Sequence, residues 1–179
     1  MVYDLEPLDD SQIAEAIELF LKEFVRHKSG LFIVAPSGAG KTYFVDRQKD
    51  KNWIDGDKLW EKSGAHPKRA WWLESEDVMD EIDRRSDEVT KRAIEKGLWI
   101  MGASNNWLRP DAVVVPEWEK HKSFIKKREE TNYDGGATSD RLGQVMGHRN
   151  WISKWKEKGV PIFDSIEEAA DYLAKDINK

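Results

Sequence analysis

One stretch of the sequence decides the fold: Ala35-Pro36-Ser37-Gly38-Ala39-Gly40-Lys41-Thr42, directly after the apolar run Leu31-Phe32-Ile33-Val34. A strand, a glycine-rich loop and a Lys-Thr pair that opens a helix form the layout of a phosphate-binding loop. The two glycines let successive backbone N–H groups point towards one bound anion. The positive end of the dipole of the following helix favours the same anion. We therefore expect the phosphates of a nucleotide to be bound by six residues, Ser37, Gly38, Ala39, Gly40, Lys41 and Thr42.

Two side chains of this loop have distinct expected roles. Lys41 is placed to reach the β- and γ-phosphates, and the Thr42 hydroxyl is a hard oxygen ligand of the kind that Mg²⁺ prefers. ATP and Mg²⁺ are therefore the expected cofactors. The first position of the pattern holds Ala35 in place of glycine, and the alternative interpretation is an ordinary strand-to-helix turn that is rich in glycine.

Length and composition narrow the class of protein. The 179 residues suffice for one domain with a full core, and we predict a single domain over residues 1–179. The net charge of −5 argues against broad nucleic-acid binding by charge alone, while leaving room for a local basic cleft. The absence of cysteine excludes disulfides, thiolate zinc sites and cysteine nucleophiles.

The sequence carries no sign of a membrane segment. No run approaches the ~18 consecutive apolar residues that a transmembrane helix needs. The acidic start, Met1 to Glu6, differs from a secretory signal peptide, which has a basic region followed by an apolar one. We expect a cytoplasmic protein without a membrane partner, and the sequence leaves its oligomeric state open.

Strands and helices alternate along the chain. The predicted strands cover 31–35, 52–55, 97–102, 111–115 and 160–163. The predicted helices cover 11–26, 41–49, 75–96, 117–130, 140–158 and 165–175, with the fifth broken or softened by Gly143 and Gly147. Residues 58–73 are predicted as a helical turn plus loop, and 132–139 as a glycine-containing turn. This alternation predicts an α/β fold with helices on both faces of a parallel sheet, whose ligands lie beyond the carboxyl ends of the strands.

A second informative stretch is Trp53-Ile54-Asp55-Gly56-Asp57-Lys58-Leu59-Trp60. With this stretch the chain resembles the small-kinase branch of the phosphate-loop fold, which includes nucleoside monophosphate kinases, adenylylsulfate kinases, gluconate kinases and polynucleotide 5′-kinases. The resemblance follows the element order from Leu31 to the C-terminus, and is specific in residues at 35–42 and suggestive at 55–59. It implies a three-layer α/β/α P-loop NTPase fold, with a five-stranded parallel sheet, the loop strand in its middle and a helical lid.

The resemblance implies roles for the two carboxylates. Asp57 is expected to accept the proton of the acceptor or to position it, and Asp55 to lie on the metal side. The alternative is that Asp-Gly-Asp is an ordinary turn. Many relatives also have an acidic residue after the third strand, but here the strand runs into Ala103-Ser104-Asn105-Asn106. This departure either assigns metal binding to Thr42 and the two aspartates or means that the γ-phosphate is handled unusually. It also disfavours a motor or switch ATPase.

A candidate lid covers about 124–155. Small kinases close a basic lid over the phosphates, where arginines neutralise the transition state and water is excluded. Arg128 and Arg141 are the expected catalytic arginines of this segment, which also holds Lys126, Lys127, His148 and Arg149. The alternative is a pair of solvated, charged helices.

Several residues are candidates for binding the acceptor. Trp60 is expected to stack on a base, with Trp71, Trp72 and Trp107 nearby, and Arg109 to bind the acceptor's phosphate. The alternative is that these tryptophans pack the helix 75–96 against the sheet. Arg84 and Arg85 are lesser candidates, of which at most one faces the cleft. The histidines have no metal-ligand spacing; His148 is a lid candidate and the others are expected to be structural.

These features predict an ATP-dependent phosphotransferase whose acceptor is a nucleotide, most simply a (deoxy)nucleoside monophosphate. A kinase of nucleic acid, acting on a 5′-hydroxyl end or on a hydroxylated modified base, stays open because a hydroxyl acceptor needs a proton acceptor such as Asp57. A small-metabolite kinase and a nucleotide-binding module without transfer chemistry are the further alternatives.

Overall fold

The computed structural model describes residues 5–131 and 136–177, with side chains up to residue 175. Its strands are β1 (Leu31–Val34), β2 (Trp53–Asp55), β3 (Trp99–Gly102), β4 (Ala112–Val114) and β5 (Ile162–Phe163). Its α-helices are α1 (Asp10–Glu23), α2 (Lys41–Arg47), α3 (Gly56–Ser63), α4 (Glu76–Glu95), α5 (Trp118–Glu129), α6 (Leu142–Ser153) and α7 (Ile166–Ile177). None of the helices described is both long and apolar enough to cross a membrane.

The five strands form one parallel sheet in the order β2-β3-β1-β4-β5. Helices flank this sheet in a three-layer α/β/α arrangement, which confirms the predicted fold class. The loop strand β1 is central, as the family resemblance implies, and each of its four residues is buried. Continuous burial explains its unbroken apolar sequence, because a central parallel strand is covered on both faces.

The chain divides into two compact units, residues 1–31 with 48–108, and residues 32–47 with 109–179. The first unit contains α1, β2, α3, α4 and β3. Asp9 caps α1 by accepting the N–H of Ser11 at 2.8 Å, and Ser75 caps α4 by accepting the N–H of Val78 at 3.3 Å. Gly97 follows α4 with φ +87°, a left-handed conformation that favours glycine. These caps agree with the helix starts that the sequence predicts.

The second unit contains most of β1, the glycine-rich loop and α2, followed by β4, α5, α6, β5 and α7. In this unit α5, α6 and the segment between them share an apolar cluster of Ile125, Ala137 and Val145, against which Trp118 and Leu142 pack. The hydroxyl of Ser165 caps α7 by accepting the N–H of Glu168 at 3.1 Å, as the Ser-Ile-Glu-Glu sequence predicts.

Two predicted elements differ from the structure. The segment 58–73, predicted as a helical turn plus loop, contains most of the helix α3, whose C-cap Gly64 has φ +84°. The helix predicted over 140–158, broken or softened by Gly143 and Gly147, is not broken at either glycine, because α6 runs through both of them and 3-10 turns flank it at 139–141 and 154–158. Of the predicted turn at 132–139, residues 132–135 lie outside the described part of the chain.

Candidate functional site

The glycine-rich loop has the backbone conformation that an anion site needs. Gly38 and Gly40 have φ of +85° and +97°, values in the left-handed region that favours glycine. The N–H of Ala39 donates to the Pro36 carbonyl at 3.2 Å, and the N–H of Phe44 donates to the Gly40 carbonyl at 2.9 Å, at the start of α2. The loop therefore ends at a helix N-terminus, where backbone N–H groups face outward and the helix dipole favours negative charge.

The Lys41 ammonium lies inside this loop. The side chain is 8% exposed, and its Nζ donates to the carbonyl oxygens of Ala35 and Pro36, both at 3.0 Å. These two bonds fix the ammonium against the backbone of the loop. The ammonium therefore lies within the loop that is predicted to bind phosphate.

The residues present fit the expected Mg²⁺. Thr42, the second residue of α2, is exposed and carries a hydroxyl oxygen, the hard ligand type that Mg²⁺ accepts. Among residues 5–131 and 136–177, no three His, Cys, Asp or Glu side chains are grouped as a metal cage. Mg²⁺ does not require one, because it keeps several waters and binds through one or two protein ligands plus substrate phosphates.

One face of α5 packs directly on the loop. His121, Ile125 and Arg128 are spaced so that they share this face, and a Cβ added at Gly38 would lie 2.7 Å from Ile125 Cγ1. The same position is 3.5 Å from Arg128 Nη2 and from His121 Nε2. Arg128 Nη2 also lies 3.4 Å from the Ser37 hydroxyl. The structure thus brings the predicted catalytic arginine Arg128 to the predicted phosphate loop.

His121 is a buried member of this arrangement that sequence reasoning missed. Its Nε2 lies 2.9 Å from the Ser37 carbonyl oxygen, and its Nδ1 lies 2.9 Å from Arg149 Nη1. The Arg149 Nη1 also donates to the Pro116 carbonyl at 2.6 Å. The spacing of His121 and Arg128 on one face of a predicted lid helix is the signal that could have identified it.

The protonation state of His121 follows from its neighbours. A guanidinium only donates, so Nδ1 accepts from Arg149 and the hydrogen of the neutral ring lies on Nε2, which donates to Ser37. Burial lowers the pKa of His121 below its ordinary value, and the positive charges of Arg149, Lys41 and Arg128 lower it further, against the opposing effect of the Ser37 bond. The imidazole is therefore neutral at neutral pH.

Arg141, the second predicted lid arginine, lies in the 3-10 turn that precedes α6. Arg141 is half-buried at the end of the 3-10 turn 139–141, where its N–H donates to the Thr138 carbonyl at 3.0 Å. Within the described part of the chain, Arg128 and His121 make polar contacts with Ser37, whereas Arg141 does not. The catalytic role of Arg141 stays a prediction.

The two aspartates of the first unit lie at the start of α3. Asp55 is buried at the end of β2, and its Oδ1 accepts the N–H of Asp57 at 3.1 Å, so it is the N-cap of the helix. Asp57 occupies the first turn and is exposed. Capping accounts for Asp55 in structural terms, and its predicted metal role is untested, whereas Asp57 has the exposure that a proton acceptor for a substrate requires.

Trp60 belongs to the core, which corrects its predicted role in stacking on an acceptor base. Its side chain is wholly enclosed, and its Nε1 donates to Thr90 Oγ1 at 2.9 Å. The ring lies so close to Gly56 and Gly102 that an added Cβ would meet it at 2.8 and 2.2 Å, respectively. The ring is therefore enclosed by protein, and the packing alternative is the correct one for Trp60.

Arg109 lies at the wrong end of its strands for the predicted contact with an acceptor phosphate. It precedes β4, and Asp111, the residue directly before that strand, exchanges two 2.8 Å hydrogen bonds with Phe32 near the beginning of β1. Its guanidinium is near Gly159, before β5. Because β1, β4 and β5 are parallel, Arg109 is at their amino-terminal edge, whereas the phosphate loop follows the carboxyl end of β1.

A partly buried carboxylate of α4 lies beside the segment that follows β3. The Asp83 carboxylate accepts a hydrogen bond from the hydroxyl of Ser104, two residues after β3. Burial raises the pKa of Asp83 from an ordinary value of 3.8 to about 7, with the Ser104 bond opposing the shift and the nearby Asp87 and Asp80 charges adding to it. Sequence reasoning missed this carboxylate because it looked for an acid within the strand-end loop itself.

Other polar groups of α4 have structural roles. Asp87 Oδ2 accepts the backbone N–H groups of Asn106, Trp107 and Leu108 at 2.8, 2.5 and 2.9 Å, which fixes the loop after β3. Arg85, a lesser acceptor candidate, is buried and donates to three backbone carbonyls of its own unit. Arg84 is exposed beside Glu81.

Comparisons with known proteins give little further guidance. No model of a known protein family matches the chain, and no curated protein matches it. One similar solved structure comes from a study titled "Molecular and structural characterization of the PezAT chromosomal toxin-antitoxin system of the human pathogen Streptococcus pneumoniae". It is 16% identical with a TM-score of 0.43, and the match covers 71% of this chain and 66% of that one, slightly less than two thirds of its length. Similarity at this level assigns neither a family nor an activity.

Proposed function

We propose that this protein is an ATP-dependent phosphotransferase that binds Mg-ATP at the loop 35–42. The observation that carries the proposal is the pairing of Lys41, fixed inside a loop with two left-handed glycines, with Arg128 from α5 at the Ser37 hydroxyl. Two cations and a helix N-terminus converge on a few residues of one unit. Such an arrangement suits a polyphosphate, whose charge exceeds what either group alone neutralises.

The roles of the residues follow from the chemistry of phosphoryl transfer, which depends on position and charge rather than on covalent help from the protein. The N–H groups of the loop bind the β-phosphate, and Lys41 binds the β- and γ-phosphates. Arg128 neutralises charge that develops on the transferred group. Mg²⁺, held with the help of the Thr42 hydroxyl, supplies further charge neutralisation when it is bound.

A nucleotide is the acceptor class that we propose. The positions of Trp60 and Arg109 bear on whether this acceptor is a free monophosphate or part of a nucleic acid. A nucleoside monophosphate was expected to use Trp60 for its base and Arg109 for its phosphate, yet Trp60 is enclosed and Arg109 lies at the amino-terminal edge of its strands. Asp57 keeps an exposed carboxylate. These observations favour the second candidate, a hydroxyl acceptor on nucleic acid, in which the hydroxyl oxygen attacks the γ-phosphorus, ADP leaves and a carboxylate takes the hydroxyl proton. Asp57 stays the residue that the sequence predicts for this proton.

The test is transfer of labelled γ-phosphate from Mg-ATP to a panel of acceptors. The panel contains the ribo- and deoxynucleoside monophosphates, 5′-hydroxyl oligonucleotides and hydroxymethylated DNA, with Lys41→Ala as the matched inactive control. Transfer to DNA alone supports the hydroxyl acceptor, and transfer to a monophosphate supports the free nucleotide. ATP binding with no transfer to any acceptor of the panel would contradict both nucleotide acceptors and leave a small metabolite or a binding module.

A further inference from the structure

The loop meets α5 through a backbone group as well as through side chains. His121 Nε2 lies 2.9 Å from the Ser37 carbonyl oxygen, while the Arg128 guanidinium reaches the Ser37 hydroxyl at 3.4 Å and the Ala137 carbonyl at 3.2 Å. Gly38 packs against Ile125 between them, so closely that no side chain would fit there. The conformation of the loop at Ser37 is therefore set from α5.

A peptide unit transmits this contact to the phosphate side of the loop. In a trans peptide the carbonyl of one residue and the N–H of the next point in opposite directions. The Ser37 carbonyl points to His121, so the Gly38 N–H points away from α5. That N–H is one of the donors expected to bind phosphate, and its direction is fixed by the imidazole on the other side of the same peptide.

Only one form of the imidazole can make this contact in its present surroundings. Arg149 donates to Nδ1 at 2.9 Å and is itself held by the Pro116 carbonyl at 2.6 Å and by the Trp118 ring, whose centroid is 5.0 Å from its guanidinium carbon. Nδ1 must accept, so Nε2 must donate. Arg149 thus selects the tautomer that holds the Ser37 carbonyl, and α6 is linked through α5 to the loop.

We propose that His121 is a positioning residue of the phosphate loop, and that Arg149 holds it in the neutral Nε2–H tautomer that directs the Gly38 N–H towards a bound phosphate. The proposal rests on the proposed nucleotide site and adds a residue to it. It also accounts for the two hydrogen-bond partners of the buried ring, which are the Arg149 guanidinium at Nδ1 and the Ser37 carbonyl at Nε2. The groups that charge this environment are Arg149 from α6, Lys41 from α2 and Arg128 from α5.

The first test compares two substitutions of similar size. In His121→Gln the amide nitrogen reaches the position of Nε2 and can still donate to Ser37, whereas in His121→Asn the shorter amide reaches only the Arg149 side. We expect Mg-ATP affinity, measured by calorimetry on the full chain, to fall about tenfold in His121→Asn and about threefold or less in His121→Gln. Urea unfolding of both variants controls for stability, which a merely structural residue would lose in both.

The second test observes the His121 ring of the wild-type protein directly. Nitrogen-15 spectra of the wild-type imidazoles, with the His121→Gln spectrum for assignment, report which ring nitrogen carries hydrogen. We expect His121 to be neutral with hydrogen on Nε2 at neutral pH, and its Nε2 signal to shift when Mg-ATP is added.

The outcomes separate this inference from the function on which it rests. A folded wild-type chain that does not bind ATP overturns the proposed function, and the inference with it. If the wild type binds ATP but His121→Asn binds equally well, or if the ring carries hydrogen on Nδ1, the positioning role is wrong and the proposed function stands. Loss of Mg-ATP affinity in His121→Asn, with affinity retained in His121→Gln, supports both the proposed function and the positioning role of His121.

Discussion

Arg128 Nη2 lies 3.4 Å from the Ser37 hydroxyl, although 91 positions separate the two residues in the chain. The same nitrogen donates to the Ala137 carbonyl at 3.2 Å, so protein groups hold the guanidinium at the loop. A charge fixed in advance stabilises a transition state without a cost of reorganisation during the reaction. This relationship is the observation that supports the catalytic role we propose for Arg128.

Replacing Arg128 by alanine is expected to lower the rate of phosphate transfer more than it lowers ATP affinity. Loss of a preorganised donor to the transferred group typically reduces kcat by about a hundredfold or more, while the loop N–H groups and Lys41 still bind the nucleotide. Steady-state kinetics with the best acceptor, together with calorimetry for ATP, measure the two effects. Lys127→Ala, an exposed neighbour on the same helix, is the control. Equal losses in the two variants would refute the assignment.

Asp57→Asn distinguishes the two acceptor classes. If the acceptor is a hydroxyl, we expect kcat to fall about a hundredfold or more, because proton acceptance by a positioned carboxylate contributes on that scale. ATP affinity should be unchanged, since the change is isosteric and exposed. A monophosphate acceptor, which has no proton to give up, predicts a mild effect. Asp46→Asn, another exposed aspartate in the first half of the chain, controls for the loss of a surface charge.

Trp60 is expected to govern stability rather than acceptor binding. Removal of a large enclosed side chain costs about 3–5 kcal/mol, so Trp60→Ala should reduce the free energy of unfolding in urea by that amount. Trp107, which is 43% exposed, provides the comparison, and its alanine variant should lose about 1 kcal/mol or less. Similar values for the two variants would mean that Trp60 is not the core residue described.

Asp83 should make the stability depend on pH. Its pKa in the folded state is raised to about 7 from 3.8, so the fold retains a proton that the unfolded chain releases. The contribution of this group to stability therefore falls as pH rises from about 4 to about 7 and stays low above that. Asp83→Asn keeps an acceptor for Ser104 but has no charge, so we expect it to be more stable than the wild type at pH 8 by about 1–3 kcal/mol, and equal at pH 4.

The measurement is urea unfolding of wild type and Asp83→Asn across this pH range. Asp46→Asn, an exposed substitution on α2, shows how much of any change comes from net charge. A stability difference between Asp83→Asn and wild type that is constant with pH would show that Asp83 is ionised in the fold.

Local sequence signals predicted the elements that they define directly. The apolar run before the glycine-rich loop gave a central buried strand, and Ser75 and Gly97 marked the ends of α4 because caps and left-handed glycines act over a few residues. Gly143 and Gly147 led us to expect a broken or softened helix where α6 is continuous. Glycine weakens a helix by only about 1 kcal/mol relative to alanine, and the packing of Val145 and Ile152 against the rest of the unit outweighs it.

Side chains that depend on tertiary contacts were less predictable. Trp60 is close in sequence to Asp57, which suggested a position near the acceptor. Whether a tryptophan contacts a ligand or the core depends on its tertiary neighbours, which for Trp60 include Gly56, Gly102 and Thr90. The predicted position of Arg109 was wrong because the connection from β3 to β4 runs from the carboxyl-terminal edge of the sheet to its amino-terminal edge. The sequence alone does not show at which of these edges a residue of the connection lies. His121 and Asp83 were missed because their partners, Ser37 and Ser104, are distant in the chain.

Binding of Mg-ATP to the full chain, measured by calorimetry for wild type and Lys41→Ala, tests the central claim most directly. Lys41 provides the ammonium fixed on the Ala35 and Pro36 carbonyls, and Lys49→Ala, which removes an exposed lysine just beyond α2, is the matched control. We predict saturable binding for wild type and Lys49→Ala, and affinity lower by at least about tenfold for folded Lys41→Ala. A folded wild-type chain without saturable binding, or equal affinity in Lys41→Ala, would contradict the assignment of the loop as a nucleotide site.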